Sequence, residues 1–313
     1  MSAGPPPLRW GADALWRQLS PLLPGLSVEV LARCESTNTE LLARARAAGG
    51  EPGQGRAGDT PGQRGRRSQD VMPCLLVAEQ QTHGRGRLGR HWLSGAGRSL
   101  TFSLALPLAP VSWSGLSLAV GCALADALDP RPQDPSDSGT ARIALKWPND
   151  LWLWDGPGQG RKLGGILIET VTVGAHRMVV IGIGLNLQPL PASAEDSGAL
   201  SHGQASLAEL AADAAAPEVL ARIALPLVQA VHRFEAQGFA PFSAAYARRD
   251  LLAGQAVTTH GAGTDVSAVA DGVAADGALR LRLPGGRETL LSSGEVSVRL
   301  QAPPAADDPS APC

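Results

Sequence analysis

Hydrophobic positions follow a helical period in one set of segments of this chain and a strand-like pattern in another. Apolar residues recur every three or four positions at 38–48, 114–128 and 218–237, which predicts three helices, the last interrupted by Pro226. A shorter amphipathic stretch, broken by Pro21 and Pro24, lies within residues 1–27.

Short apolar runs bounded by turn residues predict strands that together form one sheet. They lie at 28–31, 75–79, 99–106, 143–147, 151–154, 164–170 and 178–185. From residue 254 to residue 300 the pattern changes to brief alternating runs separated by Gly and Asp, which predicts a small all-β domain.

Polar, proline-rich and glycine-rich stretches divide the chain. Residues 49–71 contain almost no apolar side chains and are predicted to be a disordered insertion, because they cannot offset ordering entropy by burial. Residues 129–140 form a second polar loop. The predicted division is an N-terminal extension at 1–27, a main domain at 28–250, a small β domain at 251–300 and a disordered tail at 301–313.

Composition excludes several classes of protein. A net charge of -2 argues against a protein that coats nucleic acid electrostatically. The four cysteines are far apart and form no Cys-x-x-Cys pair, so neither a zinc site nor a disulfide framework is indicated. With no secretory leader pattern and no long apolar run, the sequence predicts a cytoplasmic protein without a membrane span.

Lysine is scarce: the 27 basic residues include only Lys146 and Lys162. A lysine ammonium is a compact point charge whose pKa shifts readily, whereas arginine keeps a planar, permanently charged fork. Coding bias alone is an equally good explanation of the count, so the surrounding residues have to decide between the two.

The first chemical motif is GRGRLGR at 84–90, directly after a predicted strand. Its glycines let the backbone curl, and its arginines, Arg85, Arg87 and Arg90, suit carboxylate or phosphate. The motif matches neither the P-loop nor the dinucleotide fingerprint. The alternative is a flexible RGG-like segment, but such repeats usually recur and this run occurs once.

Two further motifs contain the lysines. KWPND at 146–150 ends a predicted strand and offers Trp147 for stacking, an amide and a carboxylate, although Asn149 and Asp150 could simply cap an Asx turn. RKLGGILIE places Lys162 just before Gly164 and Gly165, where a backbone without side chains could approach a ligand.

Smaller polar groups complete the set of candidates. Ser36, Thr37 and Asn38 lie at a predicted helix start and suit a small polar ligand or an anion, although, taken alone, a plain N-cap is the better explanation. Asn186, at the end of GIGLN, is either a cleft residue or a turn residue. His83 lacks triad or metal-site partners in the sequence and is assigned no catalytic role.

Taken in order, ESTN, GRGRLGR, KWPNDL, RKLGGILIE, GIGLN and GEVSVR resemble the biotin protein ligase family over about residues 28–300. The resemblance implies an α+β fold, a class II synthetase-like mixed β-sheet with packed helices followed by an SH3-like β-barrel. It implies a ligase that uses ATP to activate biotin as biotinyl-5'-AMP and then transfers biotin to a lysine of a biotin carboxyl carrier protein.

The resemblance also assigns roles to residues. It implies that biotin is bound by Ser36, Thr37, Asn38, Gln81, Arg85, Gly86, Arg87 and Lys162. It assigns ATP and the adenylate to Arg87, Arg90, Lys146, Trp147, Asn149, Lys162 and Asn186, and catalysis to Lys162, Arg87 and Asp150. Trp92 and the Gly164–Gly165 backbone would complete the pocket, and Mg²⁺ would be held mainly by the ATP phosphates.

Some expectations concern partners and alternatives. Larger family members carry an N-terminal DNA-binding domain that residues 1–27 cannot hold, so no repressor activity, no DNA partner and a monomer or weak homodimer are predicted. The nearest alternative enzyme is a lipoate or octanoyl transferase. A nucleic-acid-binding module using the arginine-rich loops is the alternative from another class, and it predicts salt-sensitive binding.

Overall fold

The computed structural model describes residues 8–48, 72–130, 142–189, 203–260, 265–294 and 296–300. The predicted insertion at 49–71, the predicted tail and most of the predicted loop at 129–140 lie outside these ranges.

The described residues form five α-helices and fourteen strands in chain order. The elements are α1 (Ala12–Leu19), β1 (Ser27–Cys34), α2 (Thr37–Ala48), β2 (Cys74–Gln81), β3 (Gly84–Arg85), β4 (His91–Trp92), β5 (Ser99–Pro107), α3 (Leu116–Leu128), β6 (Ile143–Lys146), β7 (Asp150–Gly156), β8 (Gln159–Val173), β9 (His176–Asn186), α4 (Ala216–Gln237), α5 (Ser243–Ala247), β10 (Ala256–His260), β11 (Val266–Val273), β12 (Leu279–Arg282), β13 (Glu288–Leu291) and β14 (Ser297–Leu300). No described helix is long and apolar enough to cross a membrane.

Seven strands form the main sheet in the order β1-β2-β5-β9-β8-β7-β6. The β1–β2 pair is parallel and the other neighbours are antiparallel, which confirms the predicted mixed sheet. Helix α2 covers one face through Leu41, Leu42 and Ala45, which pack with Leu76 and Val180. Helices α1, α3 and α4 share the larger core on the other face. The sheet is therefore buried on both sides.

The C-terminal strands form a separate antiparallel sheet in the order β13-β12-β11-β10-β14. Alternate residues such as Val257, Ala270, Leu279 and Leu281 are buried, which is the period-2 pattern that predicted this domain. Among the described residues the edge strands β13 and β14 do not pair, so the all-β domain is confirmed whereas closure into a barrel is not observed.

The sequence underestimated several elements. Strands β8 and β9 extend beyond the predicted 164–170 and 178–185 into a long hairpin, because their exposed ends carry polar residues that hide the apolar pattern. The short β3–β4 pair, formed by the start of GRGRLGR and the two residues that follow the motif, was not predicted. Helix α4 continues through Pro226 as one element.

The junction between the two sheets depends on a buried arginine. The Arg249 side chain is 1% exposed and donates to Asp126 Oδ1 at 2.9 Å, to Asp129 Oδ2 at 2.9 Å and to the Ile143 carbonyl at 2.9 Å. Its own carbonyl accepts from Leu145 N at 2.7 Å, which covers the open edge of β6. Arg249 thus fixes the segment that leads into the C-terminal sheet.

We expect Arg249→Ala to lower the free energy of unfolding by about 3 kcal/mol, because it removes the cation paired with Asp129, which keeps only two backbone donors, and takes a donor from the buried Ile143 carbonyl. Urea unfolding followed by circular dichroism measures the change. Arg248→Ala is the matched control, since its exposed neighbouring side chain should contribute roughly 0.5 kcal/mol or less. Equal losses in the two variants would contradict the assignment.

Candidate functional site

A cleft of about 630 Å³ opens over one end of the main sheet. Its walls come from the start of α2, the end of β2, the loop 84–92, the β6–β7 turn, β8 and β9, and β14 of the C-terminal sheet closes one side. We call residues 84–92 the arginine loop. The cleft brings together ESTN, GRGRLGR, KWPND, RKLGG, GIGLN and the end of GEVSVR, which are distant in sequence.

One end of the cleft is a polar network centred on Asn38, which is buried. Asn38 Nδ2 donates to the Leu167 carbonyl at 3.2 Å and to Glu169 Oε2 at 2.9 Å. Both partners are acceptors, so the amide orientation is fixed, and Oδ1 accepts from Ser103 Oγ at 2.6 Å. A Cβ on Gly182 would lie 2.2 Å from Asn38 Oδ1, so only glycine allows this approach.

The network continues through Thr37 to Gln81. The Thr37 hydroxyl lies 2.6 Å from Ser103 Oγ, and the Thr37 backbone N–H donates to Gln81 Oε1 at 2.7 Å. The second bond turns the Gln81 amide nitrogen towards Gly84, where it can serve as a donor. Ser36 Oγ accepts from Thr39 N at 3.4 Å, so the N-cap interpretation holds for Ser36.

The arginine loop is a small hairpin. Gly84 pairs with Trp92 and Arg85 pairs with His91, and Gly86 N donates to the Arg90 carbonyl at 2.7 Å. The Trp92 indole lies across Gly184, where a Cβ would come within 2.4 Å of the ring. Trp92 Nε1 is buried and has no hydrogen-bond partner among the described residues, so a bound ligand could accept from it.

The three arginines of the loop point to different partners. Arg85 forms an ion pair with Glu169 at 3.0 Å, which joins the loop to the polar network. Arg87 donates through Nη1 to Asn149 Oδ1 at 3.2 Å, and burial lowers its pKa. Arg90 is exposed at the rim of the cleft.

The KWPND turn packs against the C-terminal sheet through Trp147. Trp147 is 1% exposed and its indole donates to the Gly277 carbonyl of the C-terminal sheet at 3.1 Å. Trp147 also lines the cleft, and its stacking role on a nucleotide stays a prediction. Asn149 Nδ2 donates to the Ile166 carbonyl at 2.8 Å, which directs Oδ1 towards Arg87.

Lys162 lies at the centre of the cleft floor. Its Nζ donates to Asp150 Oδ1 at 2.8 Å, and both side chains remain partly accessible. A Cβ on Gly165 would lie 3.4 Å from both atoms of this pair, so the glycine keeps space beside it. A Cβ on Gly164 would lie 2.7 Å from the Gly184 carbonyl, which explains the Gly-Gly pair by close strand packing.

Lys146 is more deeply placed than Lys162. Its Nζ lies 4.6 Å from the centre of the Trp152 ring, and the side chain is buried. Burial lowers the pKa of Lys146 to about 8. The positive charge of Lys162 acts in the same direction, whereas Asp150 opposes the change.

Asn186 has a structural role. It is 4% exposed, and its Nδ2 donates to the carbonyls of Lys162 at 3.3 Å and Ala205 at 3.1 Å. Its amide hydrogens are therefore used to hold the strand that carries Lys162. Asn186 also lines the cleft, and its direct contact with a nucleotide stays a prediction.

The cleft is strongly positive. Its described lining includes six basic side chains and one carboxylate, that of Asp150; the basic residues are Arg85, Arg87, Arg90, Lys146, Lys162 and Arg299. No group of three or more metal-ligating side chains occurs among the described residues. The site suits a polyanion that arrives with its own cation better than a resident metal ion.

Sequence reasoning missed four residues of this region. Ser103 and Glu169 orient Asn38, Trp152 lies beside Lys146, and Arg299 closes the cleft from β14. Only Arg299 had a sequence signal, as the last residue of GEVSVR. The other three lie in ordinary-looking strands, and only the register of the sheet brings them to the site.

Comparisons with known proteins agree with this geometry. A model of the Biotin/lipoate A/B protein ligase family matches residues 64–186. The chain is 32% identical to a biotin--[acetyl-CoA-carboxylase] ligase of Mycobacterium tuberculosis over 91% of each chain. It is 30% identical to the bifunctional ligase/repressor BirA of Escherichia coli, covering 90% of this chain and 77% of that protein.

A solved structure supports the same conclusion at the level of fold. The biotin protein ligase from Aquifex aeolicus, in complex with biotin and ATP, superposes with a TM-score of 0.63 at 24% identity. The match covers 89% of this chain and all of that chain. The sequence relatives, matched over most of their length, show that this chain belongs to the biotin protein ligase family.

Proposed function

We propose that this chain is a biotin–[biotin carboxyl-carrier protein] ligase that activates biotin with ATP and transfers it to a lysine of a carrier domain. One observation supports this most directly: a single cleft is lined by both a fixed polar network and six basic side chains. The ligase names of the full-length relatives point to the same activity.

The polar end suits the ureido group of biotin. Thr37, Gln81 and Asn38 hold one another in fixed orientations, so donors and acceptors are aligned before a ligand arrives. Trp92 over Gly184 supplies an apolar surface for the ring system and the valeryl chain. A lipoate lacks a ureido group, which is why this end favours biotin over the lipoate or octanoyl alternative.

The basic end suits the reacting groups. In the first step a biotin carboxylate oxygen forms a bond to the α-phosphorus of ATP, and the bond from that phosphorus to pyrophosphate breaks. Both reactants are anions, so Lys162, Arg87 and Arg90 stabilise the charge that accumulates between them. Mg²⁺ is part of the nucleotide substrate and neutralises its phosphates.

The second step uses the same site. The amine of the carrier lysine forms an amide bond to the biotinyl carbonyl carbon, the bond from that carbon to the phosphate oxygen breaks, and AMP leaves with that oxygen. Asp150, which accepts from Lys162 on the cleft floor, is the carboxylate available to take the amine proton. An acetyl-CoA carboxylase carrier is the proposed protein substrate.

We also propose the predicted domain assignment, with the biotin and ATP site in residues 28–250 and residues 251–300 closing one side of it. We propose that the protein acts as a monomer or weak homodimer in the cytoplasm, without a DNA partner. The sheet of β10–β14 contributes Val298 and Arg299 to the cleft, which supports a role for the C-terminal domain in the reaction.

We expect the purified chain to label an apo carrier domain when it is given ATP, Mg²⁺ and biotin, and Lys162→Ala to lose labelling by roughly a hundredfold or more. Arg161→Ala is the matched control, because its neighbouring side chain pairs with Asp155 outside the cleft. Streptavidin blotting and mass spectrometry of the carrier measure the product. Near-normal labelling by Lys162→Ala would refute its role, and competition by lipoate would favour the other enzyme.

Glu169→Gln should raise the KM for biotin by roughly tenfold and leave the KM for ATP unchanged. The amide oxygen of Gln can still accept from Asn38, but the second carboxylate oxygen, which accepts from Arg85 Nη2, is replaced by an NH2 group that only donates. The ion pair with Arg85 is lost, so the polar network loses part of its fixed orientation. Steady-state adenylation kinetics separate the two constants. Thr170→Ala, at the exposed next position, is the control, and an equal rise in both KM values would contradict this account.

Nucleotide binding should take up a proton near pH 8. The pKa of Lys146 is lowered to about 8 in the free protein, so a large fraction of its side chain is neutral there. A nearby phosphate favours the charged form and raises this pKa, so a proton enters as ATP binds. Titration calorimetry at pH 8.5 in buffers of different ionisation enthalpy measures the uptake. It should vanish in Lys146→Met, and a buffer-independent heat in the parent chain would disprove it.

A further inference from the structure

Arg87 makes contacts that its predicted role as a ligand for biotin or ATP does not explain. Its Nη2 donates to three backbone carbonyls in the turn before β14: Ser293 O at 2.5 Å, Gly294 O at 2.5 Å and Val296 O at 3.2 Å. These carbonyls belong to the C-terminal sheet, more than two hundred residues away in sequence. The arginine loop and the C-terminal sheet are joined by this side chain.

The other terminal nitrogen of the same guanidinium, Nη1, contacts a residue fixed to the main sheet. Nη1 donates to Asn149 Oδ1, and Asn149 is itself fixed by bonds with Ile166 N and Ile166 O at 2.9 and 2.8 Å. The planar guanidinium of arginine has separate donor nitrogens that reach these two sets of partners, whereas lysine carries all its donors on one nitrogen. Arg87, which is part of the arginine loop, therefore connects this loop to the KWPND turn and to the C-terminal turn.

The backbone of the loop tip is consistent with an external anchor. Leu88 has φ 56° and ψ 35°, the only left-handed conformation of a non-glycine residue among the described positions. This conformation costs about 1 kcal/mol or more for a residue with a Cβ. The Leu88 side chain is 50% exposed, so its own packing does not hold it, whereas the adjacent Arg87 is anchored at both arms.

We propose that Arg87 is a positioning residue that latches the arginine loop to the C-terminal sheet, so that the loop covers the cleft only while that sheet is docked. The carbonyls of residues 293, 294 and 296 hold one arm, and Asn149 holds the other. The C-terminal sheet thereby takes part in retaining a bound intermediate, and Val296 and Arg299 line the same cleft beside the latch.

This latch deepens the proposed function, and its first test does not depend on that function. Hydrogen–deuterium exchange is followed in the full chain without ligands, in peptides covering 84–92 and 288–300. In Arg87→Lys and Arg87→Ala we expect both regions to exchange roughly tenfold faster, because each variant loses charge-assisted bonds that join them. Arg87→Lys keeps the positive charge, so a residue that merely contacts phosphate would leave 288–300 unchanged.

Arg85→Ala is the matched control, because Arg85 lies in the same loop but pairs with Glu169 of the main sheet. It should speed exchange in 84–92 and leave 288–300 as in the parent chain. Faster exchange in 84–92 alone for both Arg87 variants would overturn the latch. So would faster exchange of 288–300 in Arg85→Ala to the same extent.

A second measurement connects the latch to the reaction. With biotinyl-5'-AMP bound, Arg87→Lys should release the adenylate roughly tenfold faster than the parent chain, whereas Arg85→Lys should change release less. If Arg87→Lys speeds exchange in both regions but leaves the rate of adenylate release unchanged, the latch exists only in the free protein. That result would overturn its part in retaining the adenylate. If the parent chain forms no adenylate, the proposed function fails, and the exchange result still decides whether the latch exists.

Discussion

The cleft depends on holding many positive charges close together without an anion. Four of the cations have a protein group beside them that takes the place of an anion. Asp150 holds Lys162, Glu169 holds Arg85, the Trp152 ring faces Lys146, and carbonyl oxygens surround one arm of Arg87. These partners reduce mutual repulsion and fix the cations where an anionic substrate will meet them, so little reorganisation remains for the reaction.

Glycine makes this arrangement fit on a sheet. The strands below the cleft carry glycines where Asn38, Trp92 or a neighbouring strand approaches too closely for any Cβ. Gly182 admits the Asn38 amide and Gly184 admits the Trp92 ring. The same strands are apolar and buried on the opposite face, so the hydrophobic core determines their register and the register in turn places the polar groups.

Much of the fold could be predicted because its pattern is local. The mixed sheet, helices α2, α3 and α4 and the C-terminal β domain follow from periodicity, and the lysine-containing motifs indicated the cleft. What could not be predicted depends on contacts between distant segments. The sequence context of Trp147 shows an aromatic ring but gives no sign of its burial against Gly277. Glu169 and Ser103 have no local signal at all, since only strand register brings them to Asn38.

The two lysines now have distinct physical reasons to be lysine. Lys162 donates to a single carboxylate oxygen on the cleft floor, and Gly165 leaves space beside this pair. The position suits the compact ammonium of lysine better than the broad guanidinium of arginine. Lys146 faces an indole in a buried position, where an ammonium can titrate and a guanidinium cannot. Under the proposed function the intermediate, biotinyl-5'-AMP, is amine-reactive, and a chain with only these two lysine side chains offers few competing amines to it. One is held by a carboxylate and the other is buried, so the carrier lysine meets little competition from the enzyme itself.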